Sequence, residues 1–201
     1  MPLLEIRRKK QKWFGSDSEF DFLYPSSVRA LSKKHWTPLL TARKAAEFLA
    51  AEKGSRILDI GSGVGKFCLA AAYYQPHSFF YGVEQRKSLF TQAEITRMIL
   101  QFDNVFFTLG NFTQLDFRQY DHFYFYNAFY ENLVGTDKID DSIAYSVELY
   151  NYYNRYFYKQ LDQKPSGTRV ATFHSLEDEM PKDYHLVGSD LDSLLKFWVK
   201  I

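Results

Sequence analysis

The amino-acid sequence predicts an α/β protein: a mostly parallel sheet of seven strands, helices on both faces, and a C-terminal antiparallel hairpin. Three observations carry this. Short apolar runs alternate with stretches of helical periodicity, the pattern of parallel strands joined by crossovers. The first run, Arg56-Ile57-Leu58-Asp59-Ile60, opens directly into Gly61-Ser62-Gly63-Val64-Gly65 and then an alanine-rich helix. The last two runs, Tyr184–Val187 and Leu194–Val199, are separated only by Gly188 to Ser193, too few residues for a crossover, so they pair antiparallel.

The bounds are those of one domain. A chain of 201 residues buries a substantial core. A net charge of +1 argues against a protein held to nucleic acid by bulk charge. The one cysteine, Cys68, excludes an intramolecular disulfide, and its neighbours Phe67, Leu69 and Ala70 mark it as a buried structural thiol. No apolar run approaches the ~20 residues that span a bilayer. Arg7-Arg8-Lys9-Lys10 interrupts any signal-peptide core, so a cytoplasmic protein with no membrane partner is expected.

Taken in order, residues 1–34 show no clean period and read as an N-terminal arm or cap ahead of a domain over 35–201. The basic run suits a solvated terminus. The alternative, to which the aromatics Trp13, Phe14, Phe20, Phe22 and Tyr24 give some weight, is an arm that covers the active site or touches an acidic substrate. Thr37-Pro38 reads as an N-cap with proline at the first helical position, opening a helix to about Lys53 with Gly54 as its stop. Its entry turn is placed to lie over a ligand; the alternative for His35 is a surface histidine. Residues 65–75 form the alanine-rich helix, closed by Pro76-His77-Ser78. Phe79–Glu84 is the second strand, 86–102 an amphipathic helix and Val105–Leu109 the third strand. Asp121–Tyr126 is the fourth, with Asn127–Asn132 as its exit loop. A long helix is expected from Asp141 to Leu161, with Tyr145, Leu149, Tyr152 and Tyr156 on its packed stripe. Thr168–Phe173 is the fifth strand.

The strand tips carry the chemistry. Ligands of such sheets bind beyond the carboxyl ends of the strands, and Asp59, Glu84, Asn111 and Asn127 fall at or just past the ends of strands one to four. A carboxylate at the second tip accepts both hydroxyls of a ribose. The glycines follow D-x-G-x-G-x-G, not the G-x-G-x-x-G of a dinucleotide turn. Asp59 would repel a pyrophosphate and suits a cationic nucleoside such as S-adenosyl-L-methionine. The alternatives are a nicotinamide-dependent oxidoreductase, which shares the first two strands and the ribose carboxylate, and a cofactor-binding protein without turnover.

Asp59 to Gly65 with Glu84 resembles the cofactor motif of class I S-adenosylmethionine-dependent methyltransferases, over about residues 35–201 at the level of fold. A narrower likeness runs through Asp59–Lys66, Tyr81–Glu84, Gly110-Asn111-Phe112 and Tyr126-Asn127-Ala128-Phe129. It resembles the non-SET histone-lysine methyltransferases of the disruptor-of-telomeric-silencing type. Asn111 stands where those enzymes usually have an acidic residue, and Tyr126 where they have a second asparagine. The resemblance implies a Rossmann-like methyltransferase fold. It places the backbone at Gly61 and Gly63 against the methionine part of the cofactor, Glu84 on the ribose, Asn111 and Phe112 at the adenine, and Asn127 near the transferred methyl. With their neighbours, the expected cofactor residues are Thr37, Asp59, Gly61, Ser62, Gly63, Gly65, Glu84, Gln85, Asn111, Phe112 and Asn127.

Transfer from a sulfonium needs an acceptor held in near-attack geometry and relieved of its proton, but no metal, and none is expected. Asn127 and Tyr130 are the expected catalytic residues, orienting an acceptor nitrogen through an amide oxygen and a hydroxyl, with Glu131 a possible proton acceptor. Each has a plain structural alternative: an exit-loop cap, a partly buried aromatic, a solvated charge. The expected acceptor is a protein or small molecule rather than nucleic acid.

Overall fold

The computed structural model describes residues 10–175 and 180–201. Strands β1 (Arg56–Ile60), β2 (Phe79–Glu84), β3 (Val105–Leu109), β4 (His122–Tyr126), β5 (Arg169–Phe173), β6 (Tyr184–Asp190) and β7 (Leu195–Lys200) form one sheet in the order β3-β2-β1-β4-β5-β7-β6. Only β7 runs against its neighbours, between β5 and β6. The chain builds outward from β1 to β3, then returns to lay β4 on the other side of β1. That reversal opens a crevice above the carboxyl ends of β1 and β4.

Helices α1 (Leu39–Leu49), α2 (Lys66–Tyr74) and α3 (Lys87–Leu100) cover one face and α4 (Val147–Asp162) the other. Strand alternation fills both layers. Ile57 and Tyr124 enter the core under α1 and α2, whereas Leu58, Ile60, Phe123 and Phe125 enter the core under α4. This is why the central strands read as continuous apolar runs.

The N-terminal segment is built into the first core. Phe14, Phe20 and Tyr24 are buried with the residues of α1 and α2. Phe14 stacks on Tyr73 with ring centroids 4.1 Å apart, and the Tyr24 hydroxyl donates to the Val64 carbonyl at 2.9 Å. The Lys66 ammonium, itself buried, pairs with Asp17 and Asp21 at 2.7 Å each. A boundary at residue 35 therefore cuts through continuous packing. Arg7, Arg8 and Lys9 lie outside the described residues, and Lys10 sits 4.2 Å over the Phe102 ring.

Three elements depart from expectation. Thr37 does not cap α1: its hydroxyl lies 3.0 Å from that of buried Tyr124, and Asp17 instead accepts from the Leu39 N–H at 2.9 Å. The helix ends at Leu49, short of Lys53. The long helix begins at Val147, not Asp141, because Ser146 accepts from the Leu149 N–H at 3.1 Å and caps it. Tyr145 thus falls in the preceding loop, Tyr152 is exposed, and the buried stripe is Tyr153, Phe157 and Leu161. The first hairpin strand runs to Asp190, beyond the expected Val187, and the second is shifted by one residue to Leu195–Lys200. They turn through Leu191, Asp192 and Ser193, all left-handed with φ of 53°, 54° and 64°.

If the N-terminal segment belongs to the core, Phe20→Ala removes a fully buried ring and costs about 3–5 kcal/mol. Urea denaturation should then show one cooperative transition at a lower midpoint. A variant as stable as the parent would make the segment an appendage.

Candidate active site

The crevice is a cleft of about 780 Å³, within the range of small-molecule sites. Gly61 and Gly63 line it from the β1 turn, Glu84 and Gln85 from beyond β2, and Gly110 and Phe112 from beyond β3. Tyr126 to Tyr130 enter from the end of β4 and His174 from the end of β5.

The three glycines of the turn have different reasons to be glycine. All have positive φ: 74° at Gly61, 54° at Gly63 and 80° at Gly65. A Cβ at Gly65 would lie 2.3 Å from the Phe107 ring, and one at Gly61 would lie 2.6 Å from the Ala128 methyl. Those two allow close packing. A Cβ at Gly63 would meet nothing within 4 Å, so the space beside it opens into the cleft.

Glu84 anchors the turn. Its Oε2 accepts from the Gly63 N–H at 2.9 Å and its Oε1 from the Arg86 N–H at 2.8 Å. Burial raises its pKa, with Arg86 and the two N–H groups pulling the other way. Arg86, also buried, donates to Glu131 at 2.8 Å, Asp140 at 3.3 Å and the Tyr145 hydroxyl at 2.6 Å. It thereby fastens the loop after β4 to the tip of β2. Nothing in the sequence marked Arg86, because its partners lie 45 to 59 residues away.

Of the expected cofactor residues, Gly61, Gly63, Glu84, Gln85, Phe112 and Asn127 come together around the cleft. Asn111 stands one layer back: its amide donates to Gln85 at 3.0 Å and to the Tyr153 hydroxyl at 2.8 Å, and its oxygen accepts from the Thr113 N–H at 3.0 Å. Thr37, Ser62 and Gly65 do not line the cleft. Thr37 serves Tyr124, Gly65 packs on Phe107, and the Ser62 side chain turns inward against Gly82. Asp59 needs the largest correction. It is buried between β1 and α2 with the Cys68 thiol 3.7 Å away, and burial pushes its pKa up to about 8. It stands behind the turn and does not line the cleft, and its burial favours the protonated form.

Asn127 follows the last residue of β4 with φ of 41°, and its carbonyl accepts from the Tyr130 N–H at 3.1 Å. Tyr130 lines the cleft, half exposed. Glu131 is committed to Arg86, the Ile139 N–H and the Tyr145 hydroxyl, which removes it as a free proton acceptor. Lys33, Lys34, His35 and His174 also line the cleft. Only His35 had been singled out, and the left-handed φ of 56° that sets His174 apart has no sequence signature. Among the described residues, no cluster of three or more His, Cys, Asp or Glu is placed to hold a metal, and no helix is long and apolar enough to cross a membrane.

A family model described as a methyltransferase domain matches residues 51–151. A tRNA (guanine-N(7)-)-methyltransferase of Synechococcus sp. (strain JA-3-3Ab) is 48% identical over 54 residues, 27% of this chain and 23% of the relative, so the match spans less than a quarter of that relative. The fold is shared with solved structures, two of which are methyltransferases that this chain matches over most of their length. An RNA methyltransferase from Salinibacter ruber in complex with S-adenosyl-L-homocysteine superposes with a TM-score of 0.58 at 17% identity, covering 82% of this chain and 93% of that one. Magnesium protoporphyrin IX methyltransferase from Synechocystis PCC 6803, with bound SAM, gives 0.57 at 15% identity, covering 96% and 90%.

The state of Asp59 sets a pH dependence. Its pKa of about 8 in the fold lies above the ordinary 3.8, so the native protein keeps a proton that the unfolded chain releases. Its contribution is full below about pH 4 and is lost as pH rises toward about 8. Asp59→Asn should remove this loss. The melting temperature of the parent is expected to fall relative to the variant across that window. Parallel curves would mean that Asp59 is ionised in the fold.

Proposed function

The chain belongs to the methyltransferase-domain family, of class I with S-adenosylmethionine as cofactor, and from that premise we propose that it methylates a nitrogen of an acceptor held beside Asn127. The observation that carries the proposal is the meeting of Glu84, the open Gly63 and Asn127 in one cleft. The residues fit the cofactor. A buried carboxylate at the β2 tip matches a ribose diol, and a turn with room where a Cβ would stand admits the methionine part. When bound, the cofactor supplies a methyl group on an already activated sulfonium leaving group.

The chain's own work is placement. Glu84 receives the ribose hydroxyls through lone pairs left free by Gly63 and Arg86. Gln85, oriented by Asn111, and Phe112 border the base. Asp59, Ser62 and Gly65 hold the turn's shape from behind, and Thr37 braces Tyr124 on β4. Asn127, fixed by its carbonyl bond to the Tyr130 N–H, offers its amide oxygen to an acceptor N–H, and the Tyr130 hydroxyl offers a second contact. Holding an acceptor nitrogen in line removes much of the entropic part of the barrier.

An amine of a protein or small molecule is the acceptor that the net charge of +1 supports, since it offers little counterion release to a polyanion. A base nitrogen of RNA is the second reading. It is favoured by the tRNA and RNA methyltransferases among the relatives and by Lys33 and Lys34 at the mouth.

Methyl-labelled S-adenosylmethionine, incubated with the protein and a cell extract then split into protein, RNA and small-molecule fractions, tests the proposal. Label is expected in the protein or small-molecule fraction. Label in RNA transfers the proposal to the second reading. Binding without label in any fraction makes this a cofactor-binding protein. By calorimetry, Glu84→Ala should weaken S-adenosylhomocysteine by about 2–3 kcal/mol, roughly 30- to 150-fold; unchanged affinity removes Glu84 from the site.

A further inference from the structure

We propose that His174, at the tip of β5, is a catalytic residue that takes the proton leaving the acceptor nitrogen while Asn127, at the tip of β4, orients that nitrogen. This rests on the methyl-transfer reading above. The last register pair of the two strands is Tyr126 with Phe173, so the next residues, Asn127 and His174, leave neighbouring strands about 4.8 Å apart. Both leave in the left-handed region, with φ of 41° and 56°. Neither is glycine: asparagine adopts this region readily, and at His174 the surroundings support it. Here the Asn127 carbonyl accepts from the Tyr130 N–H at 3.1 Å, and the His174 N–H donates to the Leu194 carbonyl at 3.0 Å.

Sheet order gives the pair its place. The tips run β3, β2, β1, β4, β5 across the cleft. A ligand held by its ribose at the β2 tip extends over β1 toward β4, and the next tip beyond is β5. The His174 imidazole is exposed there, lies against the Tyr126 ring at 5.7 Å and 29°, and meets the Phe173 ring edge-on at 4.3 Å. Partial burial lowers its pKa, which leaves it neutral and able to accept a proton near pH 7. The ionisable groups that share the cleft are Lys33, Lys34 and His35 from the N-terminal side, Glu84 at the end of β2 with Arg86 just past it, Glu131 and Asp137 in the loop after β4, and Tyr126, Tyr130, Tyr145 and Tyr153. Burial is what lowers the His174 pKa. Glu131, the other base at hand, is held by Arg86.

The step balances. The acceptor's lone pair forms the new nitrogen–carbon bond as the carbon–sulfur bond breaks with its pair left on sulfur. The cationic nitrogen then gives its proton to the imidazole, which passes it to water.

The test uses S-adenosylmethionine and S-adenosylhomocysteine as probes, since of the two only the first carries the sulfonium charge. Histidine Cε1 resonances are titrated by NMR with each ligand at saturation, and His174→Asn assigns the signal among five histidines. A sulfonium near His174 should lower its titration midpoint by about half a pH unit or more relative to the homocysteine complex. Identical midpoints, or a shift at His35 alone, overturn the proposal. Asparagine tolerates left-handed backbone, so His174→Asn separates imidazole from backbone. With the labelled fraction as acceptor, single-turnover transfer should fall at least tenfold with unchanged S-adenosylhomocysteine affinity, and added imidazole should restore part of it. Full transfer by the variant also overturns the assignment. If neither ligand binds the parent protein, the methyl-transfer reading itself fails, and calorimetry makes that distinction first.

Discussion

Glu84 ends β2 with 5% of its surface exposed, and each of its oxygens accepts a backbone N–H, Oε2 from Gly63 and Oε1 from Arg86. Burying a carboxylate is unfavourable by several kcal/mol unless such donors and a cation compensate it. Here they offset part of that penalty, and the same bonds fix geometry. The Gly63 bond ties the β1 turn to β2. The Arg86 bond starts α3 in register with the same carboxylate. Through its guanidinium, Arg86 then gathers Glu131, Asp140 and Tyr145 from the loop after β4. Three walls of the cleft are thus referred to one side chain, and whatever binds Glu84 is bound in a frame shared with Asn127 and Tyr130.

The parts of this arrangement that depend on nearest neighbours were legible in the sequence. Apolar runs marked the strands because both faces of the sheet are covered. The glycine turn, the carboxylate one strand later and the short C-terminal hairpin followed from local spacing. What escaped depends on side-chain direction and distant partners. The spacing that places Asp59 before Gly61 cannot say that it points back into the layer beneath α2, where Cys68 is its neighbour. Thr37 has the form of a cap, yet Asp17 reaches the same helix from 22 residues earlier. The aromatics before residue 35 lacked a period because Trp13 and Phe20 sit in short helices while Phe14, Phe22 and Tyr24 fall in the turns after them. The long helix was placed too early because Tyr145 matched its apolar spacing, whereas its hydroxyl belongs to the Arg86 network.

The two ends of the cleft divide the labour by chemistry. The β2 and β3 side offers a carboxylate, a glutamine and an aromatic edge, suited to a nucleoside. The β4 and β5 side offers an amide and an imidazole on backbones held in left-handed conformations, with a phenol beside them, suited to a nucleophile that must be aimed and relieved of a proton. The shift of Asp59 from cation partner to buried support sharpens this division, because Glu84 remains as the carboxylate that the cleft presents to a cofactor.

A crystal structure of the chain with S-adenosylhomocysteine tests this account most directly. The account predicts the ribose hydroxyls within hydrogen-bond distance of Glu84, the homocysteine sulfur beside the Gly61–Gly63 turn on the Asn127 side, and Arg86 still holding Glu131. A ligand bound elsewhere, or one whose ribose stands away from Glu84, would contradict it.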